Sequence, residues 1–243
     1  MEVHHHSHHG KKKWTEYFWE FFMLFLAVFC GFLAEYKLEH VIEHNRGLQY
    51  IRSFVEDLKT DTANFSYVIE NYRVKQIQLD SLFLCHDSIK NNDTPVACLK
   101  NIYAATIGFQ DLIYSDRTLQ QLKNSGGLRL LNEQDADSII VYDQILRYTL
   151  KVENTSLQEM VTRVRSTRNK IFAYSEEMES SWAKGIQPEQ VHLMSTDKDL
   201  LNQFFNETMV YRFACRFQLR QTIKLKHQAA ELLKFFTEKY KLK

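Results

Sequence analysis

The chain has little that would make it turn. Its 243 residues include two Pro and seven Gly, the strongest local punctuators, and their scarcity excludes a fold of many short strands and favours long helices. No stretch rich in Pro, Gly or Ser divides it, which favours one extramembrane domain. Thirty-one Lys and Arg stand against thirty Asp and Glu, so the basic footprint of a nucleic-acid-binding protein is missing and no nucleic-acid partner is expected. Also missing are a Gly-rich phosphate loop, a nucleophile elbow and a paired-carboxylate constellation. No catalytic residue is assigned on this basis, and no cofactor beyond a candidate zinc ion. The four cysteines, Cys30, Cys85, Cys98 and Cys215, include no pair at the CxxC spacing of redox motifs or zinc ribbons.

What is present begins with Phe21 to Ala34, FFMLFLAVFCGFLA, an uncharged apolar run between the basic cluster Lys11, Lys12, Lys13 and the edge Glu35, Tyr36. Aromatic and Leu side chains on every face leave no polar side for solvent. With Trp14, Tyr17 and Trp19 at one end and Tyr36 at the other as interfacial aromatics, a helix from Trp19 to Tyr36 covers about 27 Å, close to the hydrocarbon thickness of a bilayer. A buried core helix, which a run of this length also fits, and a cleaved signal peptide are the competing readings, but Phe32-Leu33-Ala34 puts a bulky residue where a cleavage site needs a small one. The expectation is an uncleaved signal anchor over residues 14–36, preceded by a His/Lys-rich tail over 1–13 and followed by a helical bundle domain over 37–243. Lys residues before the span outnumber the basic residues just after it, which predicts a cytoplasmic N-terminus and an extracytoplasmic bundle. Ala27 and Gly31 form a small-xxx-small pair of the kind that lets two such helices approach closely.

Beyond the span, thirteen positions in alternating steps of three and four, ten of them apolar, run Val41, His44, Leu48, Ile51, Val55, Leu58, Thr62, Phe65, Ile69, Tyr72, Gln76, Leu79 and Phe83. That is a coiled-coil-like seam. Charges such as Glu56, Asp57, Lys59, Asp61, Arg73 and Lys75 fall off it. Gly47 weakens this helix by about 1 kcal/mol relative to Ala, and the turn residues of NNDTP stop it near Ser88. Two shorter helices are predicted over Val96 to Ile107 and Arg117 to Lys123, ending at the breaker Asn124-Ser125-Gly126-Gly127. A second long helix, capped by Asn132 or Asp135, runs to Trp182 along a row of Leu150, Leu157, Val161, Val164, Ile171, Met178 and Trp182. A third, capped by Ser195 or Thr196, buries Leu201, Phe204, Phe205, Phe213, Phe217, Leu233 and Phe236. Three helices of close to fifty residues each predict an all-α fold: an N-terminal transmembrane helix followed by an extended antiparallel bundle. In the route expected, the short helices form a distal head and the second long helix returns to put Trp182 near the bilayer surface.

Four candidate sites follow. His40-Val41-Ile42-Glu43-His44 matches the H-x-x-E-H pattern, in which two His at i, i+4 hold zinc and the Glu serves as general base; a third ligand is required. His4, His5, His6, His8 and His9 form a tract able to bind metal through neutral imidazoles. Cys85 and Cys98 flank a polar connection and are candidate disulfide partners in an oxidising compartment, whereas Cys215 reads as a buried thiol. Arg212, Arg216, Arg220 and Lys224 repeat every four residues as a basic surface for an acidic partner or anionic headgroups. A solvated face with local Glu partners is the plainer reading of that stripe.

At FLAVFCGFLAEYKLEHVIEHNRGLQYIRSFVEDLKTDT and TLQQLKNSGGLRLL, together about a fifth of the chain, the sequence resembles bacterial single-pass membrane proteins of unknown function. The resemblance implies an envelope protein in the cytoplasmic (inner) membrane and brings no catalytic residues. The function expected is a non-enzymatic interaction or scaffolding module with the lipid bilayer, an unidentified protein and a second copy of itself as partners. A sensory or ligand-binding bundle is the alternative; the short N-terminal tail leaves no room for an output domain, so it would signal through a partner. A zinc-dependent hydrolase using His40, Glu43 and His44 is the third.

Overall fold

The computed structural model describes residues 13–90, 96–172 and 193–242, and the His tract, Met178 and Trp182 lie outside them. Most of the described residues are helical, with no strand among them and one isolated bridge between Phe172 and Leu193. The elements are α1 (Trp14–Leu84), α2 (His86–Lys90), α3 (Val96–Thr106), α4 (Arg117–Asn124), a 3-10 turn (Gly127–Leu130), α5 (Glu133–Val152), a π-helical turn (Glu153–Leu157), α6 (Gln158–Ile171) and α7 (Lys198–Tyr240). By internal packing the chain forms two units, Met1–Gln49 and Tyr50–Lys243.

In the first unit the rings stack along their own helix, as Phe21 does on Phe25, but no other element covers the apolar side chains, and Phe21, Leu24 and Phe32 are each about two-thirds exposed or more. The Trp14–Leu84 helix is the one described helix long and apolar enough to cross a membrane, and no part of its apolar window is buried. Val41 and His44, the first two positions of the expected seam, are exposed as well.

In the second unit the seam packs as its spacing predicts: Ile51, Val55, Leu58, Phe65, Ile69, Tyr72 and Leu79 are buried. Steps of three and four keep these residues on one stripe, and burying that stripe, rather than helix propensity, stabilises a helix of this length. At one level Phe54 meets both Tyr142 and Phe236, ring centroids 5.9 and 6.0 Å away, and at another Phe83 meets Phe205 at 6.1 Å. So α7 runs antiparallel to α1. Pairing Asp135 with Lys239, Gln218 with Glu153 and Thr167 with Glu207 makes α7 antiparallel to α5 and α6 also.

The second long helix therefore ascends alongside α1, and the expected route is corrected. What descends between them is the arm built from α3, residues 107–116 and α4. Lys75 holds Ala104 and Ala105, Asp61 holds Ser115, Asp57 holds Thr118, and Tyr50 shares a hydrogen bond with Ser125. Short helices at that point of the sequence suggested a distal head. Instead the stretch between them lies extended, covering about 3.3 Å per residue against 1.5 Å in a helix, and so a short arm reaches back down α1. The result is an up-down-up-down four-segment bundle.

Local expectations fare unevenly. Asn132 caps α5 by accepting from Asp135 N–H at 3.0 Å, and the Gly126-Gly127 break is where it was expected, with Gly126 at φ 67°. The first helix stops at Leu84 rather than Ser88, and Ser88 lies in the separate short helix α2. The second ends at Ile171 and comprises segments of 20, 5 and 14 residues, so it is shorter than expected and is interrupted by the π turn. Asp197, not Ser195 or Thr196, caps α7, accepting from Asp199 and Leu200 N–H; a carboxylate is the stronger acceptor there and also favours the helix dipole. Phe213 was expected in the core and is 58 % exposed.

Candidate functional site

The sequence candidates separate by unit. His40 and His44 lie one turn apart, both exposed, with Glu43 half-buried. The Tyr36 ring stacks on that of His40 at 6.0 Å. Among the described residues no cluster of three His, Cys, Asp or Glu side chains forms a metal site. Cys85 and Cys98 are joined in a disulfide, S–S 2.06 Å with Cα atoms 5.7 Å apart, which ties the end of α1 to α3. Cys215 is a buried thiol, pushed up to about 12 by burial.

The basic stripe is divided. Arg212 and Arg216 both reach Asp80 on α1, and Arg216 also donates to Gln76 at 2.8 Å. Neither local Glu partners nor open solvent accounts for these two, because α1 lies against this turn of α7. Arg220 and Lys224 stay exposed.

Three acidic residues assigned to no site do the most to shape the domain. Asp57 accepts from Thr118 N–H at 3.1 Å and from Arg117 at 3.2 Å, and so serves α4 as an N-terminal cap supplied by another helix. Asp116, the residue in the cap position, makes no side-chain cap bond. Asp61 accepts from Ser115 N–H at 2.6 Å and Tyr142 hydroxyl at 2.7 Å. Glu153, in the π turn, accepts from Leu112 N–H at 3.0 Å and Gln218 Nε2 at 3.2 Å. Burial pushes the Asp61 carboxyl up to about 6 against the pull of these donors, and burial raises Glu153 also. Each satisfies a backbone N–H that the extended arm cannot pair within itself. Asp57 and Asp61 fall off the apolar seam and are nonetheless buried. The seam identifies one packed side of α1, and the descending arm occupies a second side that carries no apolar stripe to announce it.

Cations close the other end of the arm. Lys75, 8 % exposed, donates to Ala104 O at 2.6 Å and Ala105 O at 3.3 Å. Arg165 donates to Thr106 O and Ile107 O, and Arg168 to Thr106 Oγ1 at 3.0 Å. These are the unpaired carbonyls and the negative dipole end of α3. Burial lowers Lys75 to about 8. A cleft of about 660 Å³ opens beside them, lined by Asn71, Gln78, Gln110 and Gln158 among others.

The other surface feature is an apolar groove between α5–α6 and α7, about 600 Å³ in volume. Tyr148, Val152 and Met160 form one wall and Val210, Phe213 and Phe217 the other. Comparison of the chain with protein-family models, curated proteins and solved structures gave no match.

Proposed function

We propose that the protein is a single-pass, membrane-anchored interaction or scaffolding protein of a bacterial inner membrane. Its N-terminus is cytoplasmic, its four-segment bundle lies on the other side, and it performs no catalysis of its own. The observation that carries this reading is the uncovered apolar stretch of α1. A core helix of a soluble protein would have its apolar window covered, whereas none of this one is. Leaving so many large apolar side chains in water forfeits roughly 1.5–3 kcal/mol for each, and a bilayer removes that cost. The Cys85–Cys98 bond supports an oxidising compartment for the bundle. The perturbed ionisable groups Asp61, Glu153 and Lys75 hold backbone of the descending arm, which favours a structural use of them over a chemical one.

The test is alkaline carbonate extraction of membranes carrying the full chain, followed by proteinase K treatment of intact spheroplasts. The chain stays in the pellet and its C-terminal helix is degraded from outside. Release into the supernatant at full length overturns the anchor, and a protected C-terminus reverses the orientation.

A ligand-binding bundle is the second reading, favoured by the amide-lined cleft beside Lys75. A rise in melting temperature on titration with small polar solutes, abolished in Gln78→Ala, is its expected signature. No rise across amino acids, sugars and phosphate counts against it.

A further inference from the structure

The groove between α5–α6 and α7 is built for a rod. On α5 and α6, Tyr148, Val152 and Met160 follow one another along one face, and on α7 Val210, Phe213 and Phe217 do so at helical spacing. Three of these side chains, Tyr148, Val210 and Phe213, are more than half exposed although the bundle beneath them is closed. A second depression of about 340 Å³ shares Met160 and Val210 and continues along α6, where Glu159 pairs with Arg163 and Glu207 accepts from Thr167 and Gln203, so the positive edge belongs to the larger depression alone. From Tyr148 to Met160 the wall is about 18 Å long at the helical rise, which matches three to four turns of a partner helix.

Charge selects the partner. Every charged side chain lining the larger depression is an arginine, Arg216 and Arg220. Arg216 shares Asp80 with Arg212, so two guanidinium groups stand against one carboxylate. Arg220 has no acidic partner among the described residues, and the exposed Lys224 continues the positive rim one turn on. An arginine beside a partly desolvated apolar floor is a strong anchor for a carboxylate.

We propose that this groove docks an acidic amphipathic helix of a partner protein, its large apolar side chains at i, i+3/i+4 and i+7 on the Tyr148–Phe213 floor and a Glu or Asp edge on Arg216 and Arg220. This is the helix-in-groove mode of recognition. A flat lipid surface carries the same negative charge but does not fill a concave trough. The proposal rests on the interaction role argued above and gives that role a site and a partner chemistry.

The experiment uses the full chain in phosphatidylcholine nanodiscs and two displayed libraries of 21-residue amphipathic helices. The libraries are alike in their varied apolar face and carry Glu in one, Lys in the other, along the flanks. Binders enrich from the Glu library alone, and the best of them loses at least tenfold in affinity against Arg220→Glu and against Phe213→Glu, with helicity and melting unchanged. Enrichment from both libraries or from neither overturns the proposal, as does a binder indifferent to Arg220→Glu. Because Arg220 is exposed, its variant keeps the test valid if Phe213→Glu fails to fold. A Phe213→Trp emission blue shift on adding phosphatidylglycerol to the disc, without peptide, assigns the groove to lipid and overturns the proposal. Carbonate extraction of the same preparation separates the two claims: a chain that pellets yet enriches no Glu peptide loses the groove and keeps the anchor.

Discussion

Asp61 shows how much one side chain does in this bundle. Its two oxygens take the Ser115 amide and the Tyr142 hydroxyl, while burial moves its carboxyl from 3.8 to about 6. The folded state then holds the proton more tightly than the unfolded chain does. Its contribution to stability is complete below about pH 4 and is lost as the pH rises through about 6, a change of about 3 kcal/mol at most. Asp57, itself paired with Arg117, is the other charge that raises it. In Asp61→Asn the linkage disappears. Between pH 4 and 7 the wild type therefore loses melting temperature relative to the variant as the pH rises, and a constant difference between the two would show that Asp61 does not titrate in this window. Leu58, fully buried on the seam, carries a simpler expectation. Leu58→Asp places an unpaired charge in the core, costs at least the 2–5 kcal/mol of a large-to-small truncation, and abolishes the cooperative melt followed by circular dichroism; an unaltered curve would remove Leu58 from the core.

At the scale of the element, the descending arm buries Leu99, Ile102, Leu112, Leu119 and Leu122 in the core and has its backbone held by side chains of other helices. Asp57→Ala removes the cap that α1 supplies to α4 and is expected to cost about 1–2 kcal/mol, with faster hydrogen exchange at the Thr118 amide as the local readout. Unchanged exchange there would mean that Asp57 caps nothing. The upper end of the arm is fixed by the Cys85–Cys98 bond, which closes a loop of sequence separation 13. Replacing both cysteines by Ser is expected to lower stability by about 3 kcal/mol through the freer unfolded chain, measured as a lower urea midpoint. The midpoint of the wild-type chain should fall equally under reductant; a wild type insensitive to reductant would show that the bond is not formed in solution. The π turn belongs to this scale too. One turn of looser winding brings Glu153 to Leu112 and Gln218, and such turns in otherwise α-helical segments recur where function is placed.

For the whole molecule, the division at Gln49 and Tyr50 predicts independence. The 37–243 domain expected from the sequence begins before the packing does, because its first residues, such as Leu38 and Val41, stay exposed. A chain beginning at residue 46 is expected to be soluble, helical and equal to the full-length protein in melting temperature within about 2 °C, since one kcal/mol shifts a domain of this size by roughly that much or more. A markedly lower value would show that the first unit stabilises the second. Self-association through the exposed Leu38, Val41 and Ile42 remains a proposal, read by cross-linking of the full chain in membranes.

Residue order alone determined the helical class, the apolar span, the α1 stripe from Ile51 to Leu79, the Asn132 cap and the Gly126-Gly127 break, because each is a local pattern whose period or cap chemistry is written in neighbouring residues. The pairing of Cys85 with Cys98 was legible as well, from two thiols either side of one short connection. Only the tertiary structure decided that the second long helix ascends, that Asp57, Asp61 and Lys75 are buried, that Arg212 and Arg216 meet Asp80, and that Phe213 faces a groove. These depend on which face of a helix a distant segment covers. A charged residue on a heptad's outer side looks the same in sequence whether water or an extended strand of backbone lies beyond it.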